Sequence, residues 1–190
     1  MMDDTQHKLD GRLVAAILRG DDVAAREFWG RHAPSLLVYA ASINRAIAED
    51  AVQSVFCRLL NLKTRTAGEV ADWRAYLATA VRHEVLNRIR EQRRRTSREA
   101  GAAAQEATSA TRSIAERDAI AAALEQLPRR LREVVVLRHS AGLSFDQIAL
   151  ALGCNRSTLA SRYSSGVRML KELLGSQSAG DRVKPEVTNV

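Results

Sequence analysis

The chain has 190 residues, 46% of them hydrophobic and 27% charged, with a formal net charge of +7 and an isoelectric point near 10.1. That length accommodates one domain or two small ones with apolar cores, and no run of about eighteen apolar residues marks a membrane span. A positive excess of this size suits a polyanionic partner, although a basic surface also serves solubility alone.

The N-terminus, MMDDTQHKLDG, carries acids where a signal peptide carries a basic and then an apolar segment, so a cytoplasmic protein without membrane insertion is expected. Cys57 and Cys154 have no CxxC partner, and His7, His32, His83 and His139 form no ligand spacing. Neither a disulfide, a metal nor any cofactor is expected, and both cysteines read as small core residues.

Apolar residues recur at steps of three and four along the chain, and strand-length β-branched runs are nearly absent. This predicts an all-α fold. Leu9, Leu13, Ala16 and Ile17 give a first helix over 9–19, ended by Gly20, and a second begins at 22–29. Pro34 is placed near the start of a third, through Leu36, Leu37, Ala40 and Ile43. In AEDAVQSVFCRLL, Ala51, Val52, Val55, Phe56, Leu59 and Leu60 share one face. Asp50 and Gln53 lie on the other, free to meet a partner, while Phe56 reads as core.

After a polar connection, a long helix is capped by Asp72 and carries Trp73, Leu77, Val81, Val85 and Ile89 every four residues. Its end gathers Arg88, Arg90, Arg93, Arg94, Arg95 and Arg98. Residues 81–100 hold seven Arg against three Glu, whereas residues 1–80 are balanced at ten basic and ten acidic. Such crowding fits phosphates opposite, the alternative being a solvated face.

Residues 96–113 lack any large apolar side chain and read as a flexible linker between two small helical domains, 1–95 and 114–174. Extended, that linker reaches about 60 Å. Ile114–Leu127 forms a helix stopped by Pro128, which opens the next, ending at Gly142. Ser144 and Gln147 make a capping-box pattern, Gly153 ends that helix, and Asn155 caps another with Leu159, Tyr163, Val167, Leu170 and Leu174 on one side. Two helices around so short a break are a helix-turn-helix pattern, or else an ordinary αα-corner. The exposed face would carry Arg156, Ser157, Ala160, Ser161, Ser164, Ser165 and Arg168: short hydroxyls for close approach, arginines for guanine or phosphate. Residues 175–190 are expected to be a disordered tail.

Over residues 9–174 the sequence resembles the extracytoplasmic-function (ECF) group of bacterial RNA polymerase sigma factors, in the sigma-70 family. AEDAVQSVFCRLL is similar to the family's AEDLVQEVFLRL helix. WRAYLATAVRHEVLNRIREQRRR is similar to its W-L-x-x-I-A-R-N-x-x-x-D-x-x-R-R segment, and the stretch from LPRRLREVVVLRH to the second helix is similar to its closing helix-turn-helix. The resemblance implies that 1–95 is sigma domain two, binding polymerase core and the minus-ten promoter element. It makes 114–174 domain four, binding the minus-thirty-five element. Asp50, Gln53 and Phe56 match the helix that docks on the clamp helices of the polymerase's largest subunit.

By the same resemblance, Trp73, Arg82, His83, Asn87 and Arg88, with Arg90 beside them, meet the minus-ten element, Trp73 reading equally as a buried anchor. Arg156, Ser157, Thr158, Ser161 and Arg162, with Ser165 and Arg168, meet the minus-thirty-five duplex. His83 and Asn87 stand where the family usually has Asn and Asp, which leaves the base preference open. Ala160 and Ser165 replace a usual Lys and Arg, which implies weak duplex binding by domain four alone. Polymerase core, promoter DNA and an anti-sigma factor are the implied partners.

The implied function is promoter-specific initiation and aid to DNA melting, with no enzyme activity. Asp21 with Asp22 and Glu49 with Asp50 read as helix-start charges rather than a metal cluster. The alternative is a helix-turn-helix repressor or activator that binds duplex DNA without polymerase.

Overall fold

A computed structural model describes the backbone of residues 2–62, 64–99 and 115–180, all of whose regular elements are helical. They are α1 (Met2–Ile17), α2 (Asp22–Ile43), a 3-10 turn (Arg45–Ile47), α3 (Ala48–Leu60), α4 (Thr64–Gly68) and α5 (Trp73–Glu99). After the undescribed segment come α6 (Ala115–Gln126), α7 (Arg129–His139), α8 (Phe145–Leu152) and α9 (Arg156–Gly180).

The N-terminal half is a bundle in which α2 packs against α1, α3 and α5. Val14, Phe28, Tyr39, Val52, Leu77, Val81 and Val85 are essentially sealed from solvent, as their three-and-four spacing requires. On the inner side of α1, the fully buried Asp10 places Oδ1 3.1 Å from Nε2 of the buried His32 on α2, without hydrogen-bond alignment. In the C-terminal half α7 and α8 pack on α9 through Val134, Leu137, Ile148 and Leu159.

Several boundaries differ from the sequence reading. Helix α1 begins at Met2, not at residue 9. The expected second and third helices are one: α2 runs unbroken through Pro34. Proline has no N–H to donate to the carbonyl four residues back, and its ring crowds that carbonyl. Here that residue is Gly30, and the buried stripe Phe28, His32, Ala33, Leu36, Tyr39 and Ala40 continues across the site, so packing outweighs the lost bond. Asp21 Oδ1 accepts from the amides of Val23 (2.9 Å) and Ala24 (3.0 Å), starting this helix firmly.

Helix α4 lies in what reads as a plain polar connection. Helix α9 continues to Gly180, past the expected end at 174, because extending an established helix is far easier than nucleating one. Cys57 is exposed and Cys154 half-buried, so the first is not a core residue. The expected linker, apart from its first residues in α5, and the tail beyond 180 lie outside the described residues.

The sequence reading did not anticipate contact between the halves: α7 packs on α2 and α8 on α5, and buried apolar side chains of both halves form one contiguous cluster.

Candidate nucleic-acid and protein interfaces

The polar face of α3 meets α5 around one carboxylate. Glu84 accepts from Nε of Arg88 at 2.8 Å, and its other oxygen lies 2.8 Å from Nη1 of Arg58. Arg88 also donates to Ser54 Oγ at 2.6 Å and stands 3.7 Å from Asp50 Oδ2. Burial alone would raise the Glu84 carboxyl, but the hydrogen bonds and charges of Arg88 and Arg58 outweigh it and hold the group below its ordinary value. Asp50 and Gln53 remain exposed on this face, Gln53 donating to Glu49 at 3.3 Å.

On the far side of Gln53 lies an apolar groove of about 600 Å³, lined by Ala25, Trp29, Phe56, Cys57 and Leu60 with Arg26 at its rim. Trp29 is 38% and Leu60 54% exposed. Phe56 is buried, as its place in the pattern suggests, with its ring 4.4 Å from that of Trp29 and 6.0 Å from that of Phe28. The sequence reading missed Trp29 and assigned Leu60 to the core. The spacing 53, 57, 60 is a surface stripe that would have exposed the error.

Along α5 the site residues separate by face. Trp73 is buried, its ring edge-on to those of Phe28 (6.3 Å) and Tyr76 (5.5 Å), so it anchors the start of the helix and offers no stacking surface. Asp72 caps that start through the amide of Ala75 at 2.8 Å. His83, Asn87 and Arg90 are exposed together, with Arg90 donating to Asn87 Oδ1 at 2.7 Å. Arg93, Arg94 and Arg95 project from the last turns. Arg82, by contrast, is turned to the C-terminal half, where Nε lies 3.1 Å from Oε2 of the buried Glu133.

The joint of α8 and α9 is built as the sequence reading expects. Ser144 Oγ accepts from the Gln147 amide at 3.2 Å and Gln147 Oε1 from the Ser144 amide at 2.6 Å. Gly153 takes the left-handed conformation (φ +62°) that ends α8, and Asn155 Oδ1 accepts from the Thr158 amide at 2.8 Å to start α9. With Leu159 fully buried, α9 presents Arg156, Ser157, Ala160, Ser161, Ser164 and Arg168 to solvent, and half-exposes Thr158, Arg162 and Ser165. Arg156 is held 3.1 Å from Asp146 across the joint. The geometry is a helix-turn-helix with a basic, hydroxyl-rich outer face.

No group of three or more His, Cys, Asp or Glu among the described residues is placed to hold a metal ion, and no described helix is long and apolar enough to cross a membrane.

Residues 28–95 match the family model "Sigma-70 region 2" and residues 117–170 match "Sigma-70, region 4". The RNA polymerase sigma factor CarQ of Myxococcus xanthus is 29% identical over 160 residues, covering 82% of this chain and 92% of that protein. The ECF RNA polymerase sigma factor EcfG of Rhodopseudomonas palustris (strain TIE-1) is 31% identical over 169 residues, covering 86% and 88%. Among solved structures, the sigma factor RpoE in complex with the anti-sigma factor NepR from Bartonella quintana superposes with a TM-score of 0.62 at 23% identity, covering 79% of this chain and 96% of that one. CnrH in complex with the cytosolic domain of CnrY gives a TM-score of 0.60 at 22% identity, covering 88% and 98%. At that identity the two structures speak for the fold, two helical domains. The region 2 and region 4 matches, in that order, and the relative sharing 31% identity along most of both chains make this chain a member of the ECF group of sigma-70 family RNA polymerase sigma factors.

Proposed function

We propose a division of labour for a promoter-specific transcription initiation factor in which residues 1–95 dock on polymerase core and engage the minus-ten element, and residues 114–174 engage the minus-thirty-five element. Asp50 and Gln53 meet the clamp helices of the largest subunit, while Phe56 acts from beneath by shaping the apolar groove beside them. His83, Asn87 and Arg90 face the minus-ten element; Arg88 joins them on leaving Glu84 and Ser54, and Arg82 on leaving Glu133. Trp73 serves by holding α5 in place.

The basic turns from Arg88 onward follow the DNA backbone. Their guanidinium charges release counterions without reading sequence, and base edges are left to the side chains of α9. Arg156, Ser157, Thr158, Ser161, Arg162, Ser165 and Arg168 are suited to the major groove of the upstream element. All of this is binding work, with no covalent step. An anti-sigma factor that covers the polymerase-docking face belongs to this reading, which the complex of RpoE with the anti-sigma factor NepR supports. The cytoplasm, where polymerase and chromosome meet, is the expected place of action.

The observation that carries the reading is the doubly capped joint of α8 and α9, which leaves one face of α9 free of large apolar side chains and rich in arginine and hydroxyls. Co-elution with polymerase core tests the docking assignment. The intact chain is expected to co-elute, and the pair Asp50→Ala and Gln53→Ala to weaken the complex about tenfold or more. Undiminished binding of that double variant would remove α3's polar face from the interface.

A further inference from the structure

The joint of α8 and α9 carries an ion pair on its outer side. Nη1 of Arg156, the first residue of α9, donates to both carboxylate oxygens of Asp146 in the first turn of α8, at 3.1 Å and 3.3 Å. The two side chains are 71% and 73% exposed, so the contact faces solvent. Arg162 and Arg168, further along α9, are paired with no acid among the described residues.

The fold does not need this pair. Helix α8 is started by the capping box of Ser144 and Gln147, and α9 by Asn155. An ion pair so exposed adds little stability. Arg156 moreover stands at the positive end of α9, where a cation is disfavoured. Asp146 suits the start of its own helix, yet on a DNA-facing joint it opposes the same phosphates that arginines attract.

Position separates the arginines. In a helix-turn-helix the N-terminal residues of the second helix meet base edges, and Arg156 is the first of them. Arg168 follows about 18 Å further along the axis, more than the roughly 12 Å width of the major groove, so it belongs over the backbone. Ser157, Ala160, Ser161 and Ser164 are exposed and short, which lets this end of α9 sink toward the bases.

We propose that Asp146 is a specificity-determining residue: it turns Arg156 from a general phosphate-binding charge into the reader of one guanine in the upstream element. The proposal rests on the minus-thirty-five role given above to α9. An unpaired guanidinium is drawn to any phosphate. Once Asp146 holds Nη1, the charge is balanced and the remaining donors, Nε and Nη2, are fixed in direction as a fork that fits O6 and N7 of guanine. The carboxylate also repels phosphate oxygens, which disfavours registers that would lay the pair against the backbone.

The test uses the full-length protein on core polymerase, with promoter fragments whose minus-thirty-five segment is randomised and the bound sequences read out. Wild type is expected to enrich guanine at one position by about tenfold or more, and 7-deazaguanine there, which lacks the N7 acceptor, should remove most of that gain. Arg156→Ala should erase the preference at that position alone. Asp146→Asn keeps the shape and removes the charge. It should bind all sequences more tightly, steepen the salt dependence by about one unit of slope and leave a preference of about threefold or less. Asp146→Glu restores the charge and should restore both properties. A role confined to starting α8 would change thermal stability and leave base preference where it was.

A guanine preference that survives Asp146→Asn unchanged overturns the proposal, as does a wild type with no preference controlled by Arg156, or uniformly weaker binding by Asp146→Asn. If circular dichroism shows Asp146→Asn unfolded, Asp146→Ser decides by the same criteria. Transcription from a fixed promoter separates the two levels: initiation by wild type keeps the sigma role whatever Asp146 does, and silence on every fragment removes that role and the proposal with it.

Discussion

Glu84 shows how one residue holds a surface in shape. Its lowered carboxyl means that the folded state favours the ionised form more than the unfolded chain does. The sign follows: this contribution is complete above the ordinary carboxylate range and is lost as pH falls through the lowered folded value. Glu84→Gln is therefore expected to reduce thermal stability near neutral pH and to flatten its decline toward acid, a loss of about 1 kcal/mol for a partly exposed group. Parallel decline of wild type and variant with acid would contradict it.

At the other end of the chain Gly166 lies where α9 crosses α7. A methyl group there would stand 2.9 Å from Val135 Cγ2 and 3.4 Å from Leu131 Cβ. Gly166→Ala should destabilise the C-terminal half by about 1–3 kcal/mol in chemical denaturation. Residue-level features were unevenly legible. Asp72 and Asn155 as caps follow from residue type and position. Burial of Glu133 does not, because its partner lies 51 residues away and no local period marks it.

At the scale of elements, the short joint was the most legible part of the molecule because its signals are chemical and local. Ser144, Gln147, Gly153 and Asn155 each satisfy backbone groups within three residues. Ser144→Ala removes the oxygen that accepts from Gln147 and should cost about 1 kcal/mol, read as a lower denaturation midpoint. The backbone amide of residue 144 still donates to Gln147 Oε1 in that variant, so the Gln147 contact with Asp72 should persist. Helix α2 was misread for the opposite reason. Pro34 is a strong local stop, and what overrides it is the stripe from Phe28 to Ala40, packed on three other helices. Leu60 shows a third kind of error: an apolar residue one turn past the buried face was assigned inward by type, and the structure leaves it beside Trp29 in a groove.

For the whole molecule, the two-domain all-α architecture was readable from periodicity and from the apolar-poor stretch between halves. Their contact was not. Arg132 with Ser42 and Gln147 with Asp72 are separated by 90 and 75 residues, and each pair is unremarkable in sequence. Asp50, Gln53 and the outer face of α9 are exposed, while Phe56 and Trp73 are buried and Arg82 is turned to the other half, so geometry divides a candidate set that the sequence treats as uniform.

Run-off transcription with purified core polymerase, with and without this protein, on promoter fragments from its own genome tests the central claim most directly. Transcripts are expected only when the protein is present, and they should fall with Arg156→Ala on fragments that depend on an upstream element. Core polymerase that stays silent on every fragment, while the protein alone shifts duplex DNA, would contradict the initiation role.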